Sequence, residues 1–306
     1  MKILVATEKP FAAAAVNGIK DIAQKAGHEV VLLEKYTDKA QLLEAVADVD
    51  AMIVRSDKVT AEVVAAAPQL KIVVRAGAGF DNLDLPACTE RGIVAMNTPG
   101  QNSNAVAELA LAMMIYMSRN QFTPGTGMEL KGKKVGIQAY GNVGRLVAEK
   151  AKALGMEVMA FDPFVPAEKM VAEGVIPAET LEQMYEQCNF ISLHIPAIPA
   201  TIGSINYDLI SRMPKGGCLV NTARKEVINE PELVKVLSDR PDLKYVTDVA
   251  AAIQAELNEK FPKQVFATPK KMGAETAEAN INAGLAAAQQ ICDYFATGCT
   301  KFQLNK

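Results

Sequence analysis

One segment, residues 133–162, constrains the fold of this chain more than any other. An apolar run at 134–139 leads through a glycine-containing turn into a helix-compatible stretch at 145–154, and a second apolar run at 157–161 follows. The order strand, glycine turn, helix and strand is typical of a βαβ unit, in which a helix connects two parallel strands. The segment therefore predicts a parallel sheet that is covered by helices.

The turn itself, Ala139-Tyr140-Gly141-Asn142-Val143-Gly144, has the spacing of a phosphate-binding turn. Gly141 lets the backbone approach a pyrophosphate closely, and Gly144 lets the helix pack against the strand. The free amide groups of the first helical turn, including those of Asn142 and Val143, carry positive partial charge that attracts phosphate. Alanine stands at position 139, where this fingerprint usually has glycine, so the turn alone is a weak signal.

The second strand adds the specificity that the turn lacks. It ends in Asp162, about 20 residues past the glycines, where a carboxylate accepts hydrogen bonds from the ribose hydroxyls of a dinucleotide. A carboxylate there repels a 2′-phosphate, and Pro163 and Phe164 supply no arginine to bind one. NAD is therefore favoured over NADP as the cofactor. The alternative is that the glycines only end a strand and that Asp162 only caps a helix.

The rest of the chain repeats the alternation of short apolar runs with helix-compatible segments. The glycine-rich stretch 124–127 separates two series of runs, and each series predicts a parallel sheet. A helix at 105–118 lies between them, and one at 276–295 is long enough to return to the first series. We therefore predict two doubly wound α/β domains in these 306 residues. The remaining runs are 2–6, 30–33, 51–54, 71–74, 93–96, 190–194, 218–220, 245–249 and 265–268.

Composition excludes several classes of function. The net charge of −3 provides no excess of basic residues for nucleic acid or for an anionic membrane surface. The longest apolar run, 105–117, is too short to span a membrane. The first residues lack the order of a signal peptide, so we expect a cytoplasmic protein. The five cysteines show no paired spacing and predict neither disulfides nor a metal site.

Six further motifs resemble those of the D-2-hydroxyacid dehydrogenases, most closely the phosphoglycerate dehydrogenase branch, and the resemblance covers nearly the whole chain. In that family a Rossmann NAD domain is inserted into a split, flavodoxin-like substrate domain. The resemblance implies a substrate-binding domain at 1–97 and 284–306 and an NAD-binding domain at 98–283. The motifs are 53–56 (IVRS), 74–82 (VRAGAGFDN), 96–103 (MNTPGQNS), 192–196 (SLHIP), 220–224 (VNTAR) and 247–249 (TDV).

The resemblance also implies roles for individual residues. Arg224 would bind the substrate carboxylate and stabilise charge on the reacting oxygen, since a guanidinium fork suits a carboxylate. Asp248 would contact the carboxamide of the nicotinamide. The remaining implied contacts are backbone groups of Ala76, Gly77 and Ala78 for the substrate carboxylate, and His194, Pro196, Thr222 and Ala223 on the cofactor side.

The family's general acid/base, a histidine paired with a glutamate, is absent. The histidine region reads Thr268-Pro269-Lys270-Lys271-Met272-Gly273-Ala274 and is one residue longer than usual, so either Lys271, which we favour, or Lys270 would be the base. A subset of phosphoglycerate dehydrogenases is similar in using lysine here. The glutamate position falls at Ile253, which fits, because a carboxylate would raise the pKa of a lysine that desolvation and Arg224 should lower.

The substrate is expected to be phosphorylated. Arg55 and Lys58 lie one helical turn apart at a strand end and together could hold a phosphate. We therefore predict oxidation of D-3-phosphoglycerate to 3-phosphohydroxypyruvate, the first step of serine synthesis. The alternatives are another D-2-hydroxyacid dehydrogenase, such as a glycerate or hydroxypyruvate reductase, and a non-catalytic NAD-sensing protein. A homodimer is expected, although the connection between Arg119 and Glu129 is shorter than in relatives. No serine-sensing regulatory region is expected.

Overall fold

A computed structural model describes residues 1–306. Strands and helices alternate along the chain, as the runs predict. The strands are β1 Lys2–Thr7, β2 Glu29–Glu34, β3 Ala51–Val54, β4 Ile72–Arg75, β5 Val94–Asn97, β6 Lys134–Gln138, β7 Glu157–Phe161, β8 Ile176–Pro177, β9 Phe190–Leu193, β10 Cys218–Asn221, β11 Lys244–Thr247 and β12 Val265–Ala267. The α-helices are α1 Ala13–Lys25, α2 Lys39–Ala45, α3 Ala61–Ala65, α4 Leu85–Glu90, α5 Ser103–Ser118, α6 Asn142–Ala153, α7 Ala167–Ala172, α8 Leu181–Gln187, α9 Tyr207–Ser211, α10 Glu230–Asp239, α11 Gln254–Lys260 and α12 Ala277–Thr297.

The chain forms two compact units. Unit 1 comprises Met1–Asn102 and Glu275–Lys306, and unit 2 comprises Ser103–Ala274. The domain boundaries that the sequence predicts, 97/98 and 283/284, lie near these divisions without coinciding with them. The assignment of one unit to substrate and the other to NAD stays a prediction at this point. None of the helices combines the length and the apolar character needed to span a membrane.

Unit 1 contains a five-stranded, all-parallel sheet in the order β2-β1-β3-β4-β5. The strand order reverses between β1 and β3, and open α/β sheets bind ligands outside the carboxyl ends of strands at such a point. Helix α12 packs on α1 and reaches β3 and β4. Ala15 and Ile19 of α1 and Ala287 and Ile291 of α12 are fully buried, so small and branched side chains allow this close packing.

Unit 2 contains a seven-stranded, all-parallel sheet in the order β8-β7-β6-β9-β10-β11-β12. This is the Rossmann order, with the reversal between β6 and β9. Alternate side chains along each strand point to opposite faces, as the geometry of a strand requires. Leu219 of β10 belongs to one apolar cluster, whereas its neighbours Cys218 and Val220 belong to the other. The sheet is thus buried on both faces, and the predicted α/β class with two doubly wound sheets is confirmed.

The elements differ from the predicted runs mainly at their ends. Helix α5 begins at Ser103 and α6 at Asn142, each a few residues earlier than predicted. Strand β8 contains only Ile176 and Pro177 and is too short to produce a periodic pattern. Helix α12 begins after Thr276, whose side chain accepts a hydrogen bond from the N–H of Ala279 and so caps the helix.

Candidate active site

The glycine turn, residues 139–144, connects β6 to α6 at the carboxyl end of the sheet of unit 2. A Cβ atom built on Gly144 would overlap the carbonyl oxygen of Ala139, so only glycine lets the helix approach the strand here. A Cβ atom on Gly141 would meet no protein atom within 4 Å, which leaves open space beside the backbone. Ala139 has a φ of +76°, in the left-handed region that favours glycine. The turn therefore keeps the shape of the fingerprint despite the alanine.

Asp162 follows β7 and is oriented by the neighbouring backbone. Its Oδ2 accepts the N–H of Tyr140 at 2.8 Å, and its Oδ1 accepts the N–H of Phe164 at 2.9 Å. Each oxygen retains acceptor capacity for a hydroxyl group. Arg145, the first cation of α6, forms an ion pair with Glu173, which neutralises its charge. The surroundings of Asp162 therefore fit a ribose with free hydroxyls better than a 2′-phosphate.

The segments after β9 and β10 carry the other residues predicted for the cofactor. The ring Nε2 of His194 lies 2.9 Å from Ser192 Oγ, and burial lowers the pKa of His194 to about 4, so the imidazole is neutral at pH 7. Pro196 is exposed. Thr222 is buried and its hydroxyl has no hydrogen-bond partner, whereas the N–H of Ala223 donates to Asn221. An orphaned buried hydroxyl is unfavourable unless a ligand or water completes it.

These features together fit a dinucleotide. The open space at Gly141 lies at the start of α6, where helix amides attract phosphate. The carboxylate of Asp162 and the orphaned hydroxyl of Thr222 supply polar groups for the rest of such a ligand. These residues lie at the carboxyl edge of one sheet, at the reversal of strand order, where open α/β sheets bind a ligand such as NAD.

Arg224 follows β10 at the same edge. Its guanidinium donates one hydrogen bond, from Nη1 to the carbonyl oxygen of Ala223 at 2.9 Å, and forms no ion pair with a carboxylate. The side-chain amide of Asn221 donates to the carbonyl oxygen of Arg224 and fixes the backbone there. The guanidinium thus keeps most of its donors for an anionic ligand.

The lysine loop, residues 268–273, follows β12. Asp248, which is 1% exposed, accepts hydrogen bonds from Thr268 Oγ1 and from the N–H groups of Met272 and Gly273. The side chains of Lys270 and Lys271 are both exposed. Lys271 is therefore not desolvated by the protein alone, in contrast to the prediction.

At position 253, where the family has its glutamate, the structure places the carboxylate of Glu230 against the backbone. Glu230 Oε1 accepts the N–H of Ala252 at 2.8 Å, and Oε2 accepts the N–H of Ile253 at 3.3 Å. This carboxylate comes from the start of α10, and no local motif near residue 253 indicates it. Its hydrogen bonds hold the segment that follows Asp248.

In unit 1, Arg55 lies at the carboxyl end of β3. Its Nη1 donates to the carbonyl oxygens of Lys9 and Pro10, and its Nη2 donates to Asn280 Oδ1 at 2.5 Å. Its guanidinium also lies 5.2 Å from the ring centroid of Phe11. None of these partners is a carboxylate, so no acidic group among them offsets the positive charge of the guanidinium.

Lys58 does not share this environment. It lines a cavity of about 310 Å³, and Arg55 is not among the lining residues, which are Glu8, Tyr36, Lys39, Leu42, Ser56, Lys58 and Thr60. The structure therefore does not place the two predicted phosphate ligands side by side in this cavity. Arg75 also lies in this region, where its Nε donates to the carbonyl oxygen of Arg55 at 3.0 Å. Its position at the end of the adjacent strand β4 is the signal that identifies it.

The backbone predicted to bind the substrate carboxylate is largely engaged. The N–H of Ala76 donates to Val54, and that of Gly77 donates to Thr98 Oγ1 at 2.6 Å. Among these three amides, only that of Ala78, which is exposed, remains available. Gly77 has a φ of +143°, and a Cβ atom there would overlap the guanidinium of Arg75. This glycine therefore makes room for an arginine.

Comparison with known proteins identifies the family. Residues 105–270 match the profile described as "D-isomer specific 2-hydroxyacid dehydrogenase, NAD binding domain". The D-3-phosphoglycerate dehydrogenase of Methanocaldococcus jannaschii is 35% identical over 275 residues, which cover 83% of this chain and 51% of that relative. The hydroxypyruvate reductase of Thermotoga maritima is 35% identical over 283 residues, which cover 86% of this chain and 90% of that relative.

Among solved structures, the NAD+-bound 3-phosphoglycerate dehydrogenase of Entamoeba histolytica is 50% identical, with a TM-score of 0.88 over 100% of this chain and 99% of that one. The chain spans about half the length of the curated phosphoglycerate dehydrogenases that it matches. These findings confirm the resemblance that the motifs indicate. The chain belongs to the D-isomer-specific 2-hydroxyacid dehydrogenases and contains their NAD-binding domain.

Proposed function

We propose that the chain oxidises D-3-phosphoglycerate to 3-phosphohydroxypyruvate with NAD as the hydride acceptor, the first step of serine synthesis. The observation that carries the proposal is Arg224, a guanidinium without an acidic partner at the same sheet edge as the glycine turn. The 50% identity to an NAD+-bound 3-phosphoglycerate dehydrogenase supports the choice of substrate within the family.

In the proposed oxidation, Arg224 and Lys271 have separate roles. Arg224 binds the substrate carboxylate and stabilises negative charge on the oxygen that becomes the carbonyl. Lys271, in its neutral form, accepts the proton of the C2 hydroxyl at Nζ. NAD, when bound, supplies the acceptor for the hydride that leaves C2. The hydroxyl loses its proton and C2 loses its hydride, so a 2-keto acid results.

Lys271 is preferred over Lys270 for a structural reason. It directly precedes Met272 and Gly273, whose N–H groups are both held by Asp248. Lys270 lies two residues from Thr268 and two from Met272, the nearest groups that Asp248 holds. The backbone that carries Lys271 is therefore fixed more directly, and a proton acceptor needs such a fixed position.

The phosphate preference rests on unit 1. Arg55 and Arg75 end neighbouring strands and bring two positive charges to one edge of the sheet. Two guanidinium groups suit a phosphate better than they suit the uncharged end of lactate or glycerate. Lys58 lines a cavity that neither arginine lines, so the phosphate preference rests on the two arginines.

Mixing the protein with NAD and a 2-hydroxy acid at mildly alkaline pH, and following the absorbance of NADH, tests the proposal. D-3-phosphoglycerate is expected to give the highest kcat/KM in a panel with D-glycerate and D-lactate. A higher kcat/KM with glycerate would favour the second candidate, a glycerate or hydroxypyruvate reductase. That candidate is suggested by the T. maritima relative, of which the chain covers 90%. Absence of turnover with every acid, alongside NAD binding, would favour an NAD-sensing protein.

The assembly and location belong to the same proposal. We expect a homodimer, which light scattering on the purified protein tests directly. A cytoplasmic location stays a prediction. The partners are expected to be a small phosphorylated 2-hydroxy acid and NAD, without nucleic acid and without a membrane, because the chain carries no excess of positive charge.

A further inference from the structure

Asp248 is a buried carboxylate, with 1% of its surface exposed. Its Oδ1 accepts hydrogen bonds from Thr268 Oγ1 at 2.8 Å and from the N–H of Met272 at 2.9 Å. Its Oδ2 accepts the N–H of Gly273 at 2.8 Å. A buried charge of this kind is stable only when hydrogen bonds replace its hydration. Here all three donors come from the lysine loop.

The three donors lie at the two ends of the loop. Thr268 precedes Pro269, Lys270 and Lys271, and the other two donors follow them. The N–H of Thr268 also donates to the carbonyl oxygen of Thr247, next to Asp248 in the chain. The carboxylate therefore closes the loop into a ring that contains both lysines.

Glycine at position 273 is part of this arrangement. A Cβ atom there would lie 2.9 Å from Asp248 Oδ2 and 3.4 Å from Val106 Cγ2. A distance of 2.9 Å is shorter than carbon and oxygen tolerate without movement, so a larger residue would push the loop away from the carboxylate. Gly273 thus permits the short hydrogen bond that ends the ring.

We propose that Asp248 is a positioning residue, which fixes the loop so that Lys271 is held in place to accept the substrate proton. This inference rests on the proposed function. A carboxylate offers about four acceptor sites, and the loop uses three of them. The site that remains on Oδ2 can serve the nicotinamide carboxamide, so the contact implied by the family resemblance is compatible with the positioning role.

The length of the loop explains why positioning is needed. The sequence indicates one residue more than the family's histidine loop, and an additional residue adds backbone freedom that must be restricted for a single conformation. A lysine side chain adds further rotamer freedom. Fixing the backbone at both ends restricts the first contribution, whereas the bound substrate restricts the second.

The test uses Thr268, whose hydroxyl donates a hydrogen bond to Asp248 Oδ1. Thr268→Val removes the hydroxyl but keeps the branched shape, and Thr268→Ser, the matched control, keeps the hydroxyl. We expect Thr268→Val to lower kcat about 10- to 100-fold with a KM for NAD within about twofold of wild type, because displacement of a reacting group by about 1 Å has effects of this size. Thr268→Ser is expected to retain kcat within about threefold, since its hydroxyl preserves the hydrogen bond.

Hydrogen–deuterium exchange provides a readout that does not depend on activity. The amides of Met272 and Gly273 are expected to exchange slowly in the wild type and about fivefold faster in Thr268→Val, because one of the three hydrogen bonds to Asp248 is lost. Thr268→Ser should exchange as the wild type does. If Thr268→Val does not fold, Gly273→Ala replaces it and is expected to give the same loss of kcat.

Each outcome decides the inference. Unchanged exchange in Thr268→Val would show that Asp248 does not hold the loop. Faster exchange with unchanged kcat would overturn the positioning role, and so would a raised KM for NAD at unchanged kcat, which would make Asp248 a cofactor residue only. A wild type without turnover on any 2-hydroxy acid would instead refute the proposed function, whatever the exchange shows.

Discussion

The glycine turn and the lysine loop both follow a strand of the same sheet, yet different forces fix their shapes. The turn is shaped by the backbone of six consecutive residues, through the missing Cβ of Gly144 and the positive φ of Ala139. The lysine loop is shaped by Asp248, which lies 20 residues before Thr268 in the sequence. The shape of the turn is therefore determined by neighbouring residues, whereas the shape of the loop depends on a side chain that is distant in the sequence.

This difference decides which region tolerates change. The turn requires glycine at position 144, whereas two of the three donors that hold the loop are backbone N–H groups, which do not depend on the side chains of the lysines between them. A lysine can therefore replace a histidine in the loop without a change in the surrounding fold.

The largest effect is expected when the loop loses Lys271, the proposed base. Lys271→Ala should lower kcat by about 10²- to 10⁴-fold, the usual contribution of a general base, while the dissociation constant for NAD stays the same. Steady-state kinetics and calorimetric NAD titration measure the two quantities. Lys270→Ala is the matched control and should keep kcat near that of the wild type. The reverse result, with Lys270→Ala inactive and Lys271→Ala active, would move the base to position 270.

The next effect concerns the turn. Gly144→Ala should lower the free energy of unfolding by about 3 kcal/mol and abolish NAD binding, because the new methyl group displaces α6 from β6. Gly141→Ala is the matched control for the fold, since its methyl group meets no protein atom. It should unfold as the wild type does but bind NAD more weakly. Equal NAD affinity in Gly141→Ala and the wild type would remove the pyrophosphate from this turn.

The same comparison explains what the sequence predicts and what it does not. The βαβ order, the two sheets and the glycine turn follow from short-range patterns, and every strand except β8 lies within a few residues of a predicted run. The choice between Lys270 and Lys271 stays ambiguous in the sequence, because counting from either end of a lengthened loop gives a different lysine. The hydrogen bonds from Met272 and Gly273 to Asp248 support the proposal of Lys271, but the sequence does not indicate them.

In unit 1, sequence spacing again fails to indicate which residues are in contact. Arg55 and Lys58 are close in sequence, and their spacing predicts a shared phosphate site. In the structure Arg55 donates to Lys9, Pro10 and Asn280, and the last of these arrives from a helix 225 residues away. Such partners depend on chain topology, which local spacing does not encode. The pairing of Arg55 with Arg75 depends on neighbouring strands in the same way.

His194, which lies outside the lysine loop, should make the stability of the protein depend on pH between 4 and 6.5. Burial lowers the pKa of His194 from 6.5 to about 4, so between these values the unfolded chain binds one proton more than the folded chain. Stability from this group is present above pH 6.5 and decreases as the pH falls towards 4. Between pH 7 and pH 5, denaturant unfolding of the wild type should lose about 2 kcal/mol more than that of His194→Gln.

The pH profile of kcat/KM should keep its shape in His194→Gln, since a neutral imidazole with this pKa does not titrate near pH 7. A limb near pH 6.5 that disappears in this variant would assign the proton transfer to His194 and remove it from the lysine loop.

The smallest effect tests how much strain the turn carries. Ala139 adopts a φ of +76°, and a left-handed conformation costs an L-residue about 1–2 kcal/mol, part of which is offset by the greater freedom of glycine in the unfolded chain. Ala139→Gly should therefore raise the free energy of unfolding by about 1 kcal/mol, as measured by denaturant titration. Lys35, with a φ of +56° in unit 1, is the matched control, and Lys35→Gly should give a similar gain.

Because the turn already has the required shape, Ala139→Gly should change the NAD dissociation constant less than about threefold, which is under 1 kcal/mol. A larger gain in affinity would show that alanine distorts the turn, and that the six residues of the turn do not by themselves produce the shape that binds NAD best.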